Sequence, residues 1–435
     1  MSYFINFNRL ALSLIPISLI FSIFVADLLV VISSISLITF AILKKNIAIF
    51  NTKEFKIFLI FYAVCLISSI FSDYSNEILF KSIAYIRFGL LIVLIQYLIK
   101  NDHKFIKYFL FSILFSFFIL ILGLILQIIG FEYFFLDSVS FRYSSFFFDE
   151  LILGSYIIKL LPLSIALLLF TNSNKYLYVL PLLAVISIFL SGERTASISL
   201  LMFVSLLITF TNIVNFRQKL FSLALVLTCL FTVLALFPQV KFRLIDQTLY
   251  QLNIIETGED YKEFLVAGKT TVAIVKEEHF IPLKYYLMFK TAYKIFKDNF
   301  VLGSGIKTFK KLCKNEKYYI KKNYKAFEGK PDDYYKGYTG VDGCSTHPHN
   351  YYIQLLAETG IFSFLIITYC FFYYLLNFFK KNNLPKKIIY LSIVVNLFPF
   401  LFSGSFFNNF ISIMILLPIA FSCLNKNNDK INKDY

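Results

Sequence analysis

Two of the four histidines, His347 and His349, lie two residues apart at the end of a long polar segment, directly before an apolar stretch. Histidine has an ordinary pKa close to neutral pH, so it suits the removal of a proton from a hydroxyl group. His349 also precedes Asn350 at the predicted N-terminus of a helix, where backbone amides favour an anionic ligand. The spacing predicts catalysis by His349 and substrate contacts for His347 and Asn350; a purely structural role for the pair is the alternative.

A His-x-His pair also occurs in metal sites, which need further ligands. The other two histidines, His103 and His279, lie on separate segments and do not complete a ligand set. We therefore predict a site without a metal and without a cofactor.

Two arginines interrupt otherwise apolar surroundings. Arg194 lies in the short break Ser-Gly-Glu-Arg-Thr between two apolar stretches, and Arg142 lies shortly before Asp149 and Glu150. A guanidinium group stays charged and binds phosphate oxygens through a planar fork, so both residues suit a lipid pyrophosphate at the membrane interface. The alternative is that they pair with Glu193 or Glu150, or extend toward the interface without a ligand.

Two further cations, Arg87 and Lys159, fall near the middle of apolar stretches. A charge at that depth costs several kcal/mol and usually faces a bundle interior or a wet cavity. Because few acidic residues are available to pair with them, we predict that both bind an anionic substrate, with an internal ion pair as the alternative. Lys81 lies nearer the end of its stretch, where it can reach the interface, and is not included.

The fold class follows from composition. Hydrophobic residues make up 58% of the 435 residues and the mean hydropathy is +0.72, well above the values of soluble domains. Apolar stretches of bilayer-spanning length predict an all-α polytopic membrane protein with about twelve transmembrane helices. They lie near 10–26, 28–43, 55–72, 78–99, 105–129, 151–170, 176–190, 196–211, 219–238, 352–377, 388–402 and 408–424.

Basic residues set the orientation of these helices. Lys and Arg concentrate on the segments of one side, whereas the short segments of the other side carry only Arg142 and Arg194. This asymmetry predicts cytoplasmic termini and explains the net charge of +16 without a nucleic-acid partner. The predicted organisation is helices 1–9 over 1–238, a large, partly helical periplasmic loop over 239–350, helices 10–12 over 351–424 and a cytoplasmic tail over 425–435.

Cys313 and Cys344 are the only cysteines on the predicted outer side. In an oxidising periplasm they could form a disulfide beside the histidines, or remain two free thiols.

Four motifs occur together in the chain: Arg142 to Gly154, Ser191 to Thr195, Asp-Asn-Phe-Val-Leu-Gly-Ser-Gly over 298–305, and His-Asn-Tyr-Tyr-Ile-Gln-Leu-Leu-Ala-Glu-Thr-Gly over 349–360. In this order, with about twelve helices and one large loop, the chain resembles the O-antigen ligase and O-antigen polymerase superfamily of the bacterial inner membrane. The resemblance covers nearly the whole chain.

The resemblance implies a metal-independent glycosyltransferase. It would move a glycan from an undecaprenyl-pyrophosphate carrier to an acceptor hydroxyl at the periplasmic face, the acceptor being a lipid A-core sugar or a second lipid-linked glycan. Arg142 and Arg194 would hold the pyrophosphate, Arg243 would add a phosphate contact, and His349 would act as general base or position the acceptor.

The chain departs from the family pattern at three positions. Ser145 stands where a glycine is common, and Lys284 and Phe289 stand where the loop helix often has an arginine and a tryptophan. A lysine would be a weaker, unforked substitute for that arginine. The alternative function is a flippase or transporter of lipid-linked oligosaccharide, for which two similar halves would be expected.

Overall fold

The computed structural model describes residues 1–130, 142–173, 178–210, 215–251, 281, 283–322 and 341–424. The predicted tail 425–435, His279 and parts of the predicted loop 239–350 lie outside these residues. The described chain is helical, apart from one antiparallel pair of two-residue strands, β1 Lys321–Lys322 and β2 Val341–Asp342.

Each of the twelve predicted apolar stretches contains helix. In chain order, the α-helices are α1 Ser2–Phe21, α2 Ile23–Leu43, α3 Lys53–Ile70, α4 Ser75–Ala84, α5 Ile86–Asn101, α6 His103–Ile129, α7 Leu153–Phe170, α8 Val179–Leu190, α9 Arg194–Phe210, α10 Phe216–Leu236, α11 Pro238–Lys241, α12 Gln247–Gln251, α13 Leu283–Asp298, α14 Phe309–Leu312, α15 Tyr351–Lys380, α16 Leu384–Asn396 and α17 Asn409–Phe421. Short 3-10 turns cover Ile47–Phe50 and Ser145–Phe147, and a π turn covers Phe242–Asp246.

Seven helical segments of the described chain are long and apolar enough to cross a bilayer by length and composition. They are α1, α2, the combined segment Ser75–Asn101, α6, α7, Lys219–Leu236 within α10, and α15. Helices α8, α9 and α17 are apolar but shorter. The prediction of a helical membrane protein is therefore confirmed, while the number of twelve crossings and the periplasmic side of the loop stay predictions.

The first helix boundary differs from the predicted one. The chain breaks at Ser22, whose side chain accepts a hydrogen bond of 3.3 Å from the amide of Val25 and so caps α2. Asp27, which separates the predicted stretches 10–26 and 28–43, lies inside α2 and pairs with Arg87. Polarity alone does not distinguish a helix cap from a buried ion-pair partner, so the boundary was placed five residues too late.

The longest helix, α15, is kinked at Gly360, where φ is +71° and ψ is −170°. A kink leaves backbone groups without partners inside the helix, and here the loop after α13 supplies them. The amide of Ser304 donates to the carbonyl of Ala357 (3.0 Å), and the amide of Gly305 donates to that of Glu358 (2.8 Å). This docking joins the two motifs 298–305 and 349–360 into one structural unit.

Candidate functional site

Arg142 lies beside the start of α7. Its guanidinium donates to the carbonyl of Leu151 (2.7 Å) and lies 3.7 Å from a carboxylate oxygen of Glu193. Burial lowers the pKa of Arg142, and the nearby Glu193 and Tyr285 oppose that change. The ion pair foreseen as the alternative to a ligand is therefore present, and it holds the guanidinium in a defined place.

Glu193 joins the break between α8 and α9 to the N-terminus of α7. Its buried carboxylate accepts hydrogen bonds from the amides of Gly154 (2.8 Å) and Ser155 (3.2 Å), the orphan donors of the first helical turn. The hydroxyl of Ser155 also donates to it. Burial raises the pKa of Glu193, and Arg142 and these hydrogen bonds oppose the rise. One carboxylate thus fixes both Arg142 and the α7 terminus.

Arg194 is the first residue of α9 and lies beside Arg243. The Nε of Arg194 donates to the backbone carbonyl of Arg243 at 3.1 Å, and the Arg243 guanidinium donates to the side chain of Gln247. The structure therefore brings the predicted phosphate ligands Arg194 and Arg243 together.

The rings of the two histidines are in contact. Their centroids are 4.1 Å apart and their planes are tilted by 41°. The Nε2 of His347 lies 3.3 Å from the carbonyl of Ser403 and its Nδ1 lies 2.9 Å from the hydroxyl of Thr346. A carbonyl only accepts, so these contacts fit a neutral ring with the proton on Nε2 and the lone pair of Nδ1 already occupied by Thr346. His347 is therefore poorly placed to accept a proton and well placed to orient His349.

His349 has more freedom to act as a base. The Nε2 of its ring lies 3.4 Å from the hydroxyl of Ser345, and a hydrogen bond with the backbone of Ser403 acts to raise its pKa. Its pKa is lowered to about 4, first by burial and then by His347 and Lys284. The imidazole is neutral at pH 7 and can take a proton. Its backbone has φ of +56°, a left-handed conformation that is rare for a side chain with a Cβ and is typical of functional sites.

Tyr285, on α13, connects the arginine side of the site with the histidines. Its ring packs edge-on against His349 at 5.5 Å and lies 4.3 Å from the ring of Phe402, while its hydroxyl influences Arg142. Sequence reasoning missed this residue. The only available signal was the amphipathic pattern of α13, which does not say what its aromatic face contacts.

A cavity of about 600 Å³ opens beside these residues, a size common for ligand sites. Thr346, His347 and Tyr351 line one side of it, and Ser155 and Thr195 line another. Five lysines and one carboxylate, that of Glu150, lie on the described part of its wall. These lysines are Lys81, Lys159, Lys307, Lys310 and Lys311.

Lys159 is the predicted deep cation that faces this cavity. Its ammonium group donates to the side-chain oxygen of Asn396 (3.1 Å) and lies 3.5 Å from the hydroxyl of Tyr351. It forms no ion pair with a carboxylate of the described chain. Neutral partners hold the side chain in place without cancelling its charge, which leaves the charge available to an anion.

Arg87 and Asn350 are engaged elsewhere. Arg87 forms a two-pronged ion pair with Asp27, with contacts of 2.8 and 3.3 Å, and donates to Ala84 and Asn409. Asn350 caps α15, accepting from the amides of Tyr352 and Ile353 and donating to the carbonyl of Pro399. These contacts match the structural alternative for Arg87 and give Asn350 a capping role.

Cys313 and Cys344 form a disulfide, with Cα atoms 5.2 Å apart. The bond joins the end of α14 to the residue just before Ser345, and so tethers the histidine segment to the loop that docks on α15. Cys65, Cys229, Cys370 and Cys423 are free.

The fold and the site define a helical membrane protein with a cation-lined cavity beside a histidine pair and an arginine pair. Residues 179–368 match the family model of the O-antigen ligase domain. This match supports the resemblance to the O-antigen ligase and polymerase superfamily that the motifs predicted. The matched region contains three of the four motifs, and the Arg142 to Gly154 stretch lies before it. No curated protein matches the chain.

Proposed function

We propose that the protein transfers a glycan from an undecaprenyl-pyrophosphate carrier to an acceptor hydroxyl at the periplasmic face of the inner membrane, with both termini in the cytoplasm. The acceptor is a lipid A-core sugar or a second lipid-linked glycan. The observation that carries this proposal is the 600 Å³ cavity, whose described wall has five lysines against one carboxylate and includes His347, whose ring contacts that of His349.

In this proposal His349 is the general base. The acceptor oxygen attacks the anomeric carbon of the donor sugar, the bond from that carbon to the pyrophosphate oxygen breaks, and the pyrophosphate leaves with the bonding electrons. The imidazole of His349, which is neutral at pH 7, takes the hydroxyl proton. His347 orients the base through the contact between the two rings.

Arg142, Arg194 and Arg243 stabilise the leaving pyrophosphate, and Lys159 contributes charge from deeper in the cavity. A pyrophosphate is a good leaving group, so fixed positive charge and a positioned nucleophile supply what the reaction needs without a metal. Glu193 supports this role because its carboxylate contacts both Arg142 and the N-terminus of α7, the helix that carries Lys159.

The test is the surface polysaccharide profile of a deletion strain complemented with wild type, His349→Ala or Arg194→Ala. We expect both variants to fail to restore the glycan, since one lacks the base and the other a leaving-group contact. Two matched controls, His103→Ala and Arg217→Ala, remove the same side chains from exposed positions elsewhere and should restore it. Immunoblotting of membranes verifies equal protein levels.

The deletion strain also separates the two acceptors. Single repeat units on the lipid core would identify a polymerase, and long lipid-linked chains that remain unattached would identify a ligase. An unchanged profile in the deletion strain would refute the proposed function. Full complementation by His349→Ala would refute the role of that histidine alone.

A further inference from the structure

Three of the cavity lysines form a separate surface, here called the lysine wall: Lys81 on α4, Lys307 on the segment between Gly305 and α14, and Lys310 in α14. The charged neighbours of this wall differ from those of the arginines. Arg142 interacts with Glu193 and Tyr285, whereas Lys307 interacts with Glu358, Lys81, Arg87 and Asp27. The lysine wall lines the cavity, whereas Arg142, Arg194 and Arg243 are not among the described residues of its wall. The wall and the arginines are therefore two separate cationic regions.

The segment that carries the wall is held in one conformation. Gly305 is bonded to the kinked helix α15, and the hydroxyl of Thr308 donates to the carbonyl of Gly305 at 2.7 Å. Between them, Lys307 adopts φ of +60°, a left-handed conformation that costs free energy for a residue with a Cβ. Such strain persists where neighbouring contacts enforce it, and it is concentrated at ligand clamps.

The positive charges of the wall are not balanced by ion pairs. None of its three lysines pairs with a carboxylate of the described chain, whereas the adjacent Lys311 pairs with Glu77. Desolvation lowers the pKa of Lys307, and its neighbour Lys81 lowers it further, against the pull of Glu358. The Glu358 carboxylate is itself buried and engaged by the amide of Phe309. An anion in the cavity would relieve this repulsion.

We propose that the lysine wall is a second anion subsite, which binds a phosphate group of the acceptor substrate while the arginines hold the donor pyrophosphate. This inference rests on the proposed function, because a transferase must bind donor and acceptor together. It specifies that the acceptor carries phosphate. The source is the pyrophosphate of a second lipid-linked glycan or a phosphate on a core sugar.

The test is calorimetric titration of the full chain in detergent at low ionic strength, with inorganic pyrophosphate as the probe. We expect wild type to bind two equivalents of pyrophosphate. The double variant Lys307→Gln/Lys310→Gln should bind one equivalent, or should bind the second at least about tenfold more weakly, because two charge-assisted contacts are lost. Lys314→Gln is the matched control, since Lys314 is an exposed lysine shortly after α14 and is not among the residues that line the cavity. It should retain two equivalents.

One equivalent in wild type, or two equivalents unaffected by the double substitution, would overturn the subsite. Titration with glucose 6-phosphate separates the sources. If the wall substitutions remove one equivalent of pyrophosphate, and glucose 6-phosphate binds wild type at least about tenfold more weakly than pyrophosphate does, the acceptor supplies a pyrophosphate. If both probes lose one equivalent alike, it supplies a sugar phosphate. Binding is measured without glycan transfer, so the subsite and the proposed function fail on different results.

Discussion

Replacement of Gly303 by alanine tests whether the loop after α13 docks on the kink of α15 as the structure has it. A Cβ at Gly303 would lie 2.3 Å from the amide nitrogen of Thr359, 2.4 Å from the carbonyl carbon of Glu358 and 2.5 Å from the amide nitrogen of Gly360. All three atoms are backbone, so no side chain can rotate away. The φ of +71° adds a conformational cost.

The expected magnitude has two parts. The left-handed conformation costs roughly 1 kcal/mol for alanine, and overpacking against a fixed neighbour costs about 1–3 kcal/mol. Gly130→Ala is the matched control, because its φ is +89° and a Cβ there would meet nothing within 4 Å. It should therefore lose only the first part. Both substitutions restrict the unfolded chain equally, so the difference between them isolates the docking contact.

The assay is the apparent melting temperature of the purified protein in one detergent, followed by complementation of the deletion strain. Gly303→Ala should melt below Gly130→Ala and should complement less well, because the displaced loop carries Lys307. If the two variants melt together, the loop does not press on α15 and the account of the 298–305 motif is wrong.

Three further predictions concern charge and covalent structure. The acid limb of kcat/KM should lie near pH 4, not near 6.5, because the lowered pKa keeps His349 neutral. For the same reason, His349 lowers the free energy of unfolding as the pH falls from about 6.5 to 4. An acid limb near pH 6.5 that persists in His349→Gln would exclude His349 as the titrating base. Arg87→Gln should lower the melting temperature because it leaves Asp27 without its partner, and Asp27→Asn should lower it for the converse reason. The double variant should recover part of the loss, whereas additive losses in melting temperature would contradict the pairing. Cys313→Ser and Cys344→Ser should each destabilise by roughly 3.7 kcal/mol, as expected for closure of a loop with a sequence separation of 31. The double variant should lose no more than either single variant, and melting curves with and without reductant check this.

The helical framework could be predicted because apolar length and charge punctuation act locally. Each apolar stretch contains helix, and the polar break at Ser191–Glu193 separates α8 from α9. The position of Asp27 could not be predicted in the same way. Its partner Arg87 lies 60 positions away along the chain, and only packing of α2 against α5 brings them together. A lone acid between apolar stretches therefore looked like a helix break.

Part of the candidate site could be predicted from the sequence. Residue type alone pointed to His349, Arg142 and Arg194, because few other groups offer a neutral base or a phosphate fork. Tyr285 and the lysine wall gave no such signal: tyrosines and lysines are abundant in this chain, and only tertiary contact selects the ones that face the cavity. For Asn350, the sequence predicted the helix N-terminus, and the side chain caps that helix; its contact with a substrate stays a prediction.

The distinction between structural and functional charge in this protein lies in how each cation is held. Arg87 is matched by a carboxylate in a fork, so its charge is already compensated and its field at a distance is weak. Lys159 is held by an amide oxygen and a phenol and forms no ion pair with a carboxylate of the described residues. Lys307 also forms no ion pair there, although the buried Glu358 attracts its charge. A cation without an ion pair costs stability, and an anionic ligand recovers that cost on binding. In the proposed function, the cations that bind substrate are therefore those that face the cavity without an ion pair, whereas Arg87 has a structural role.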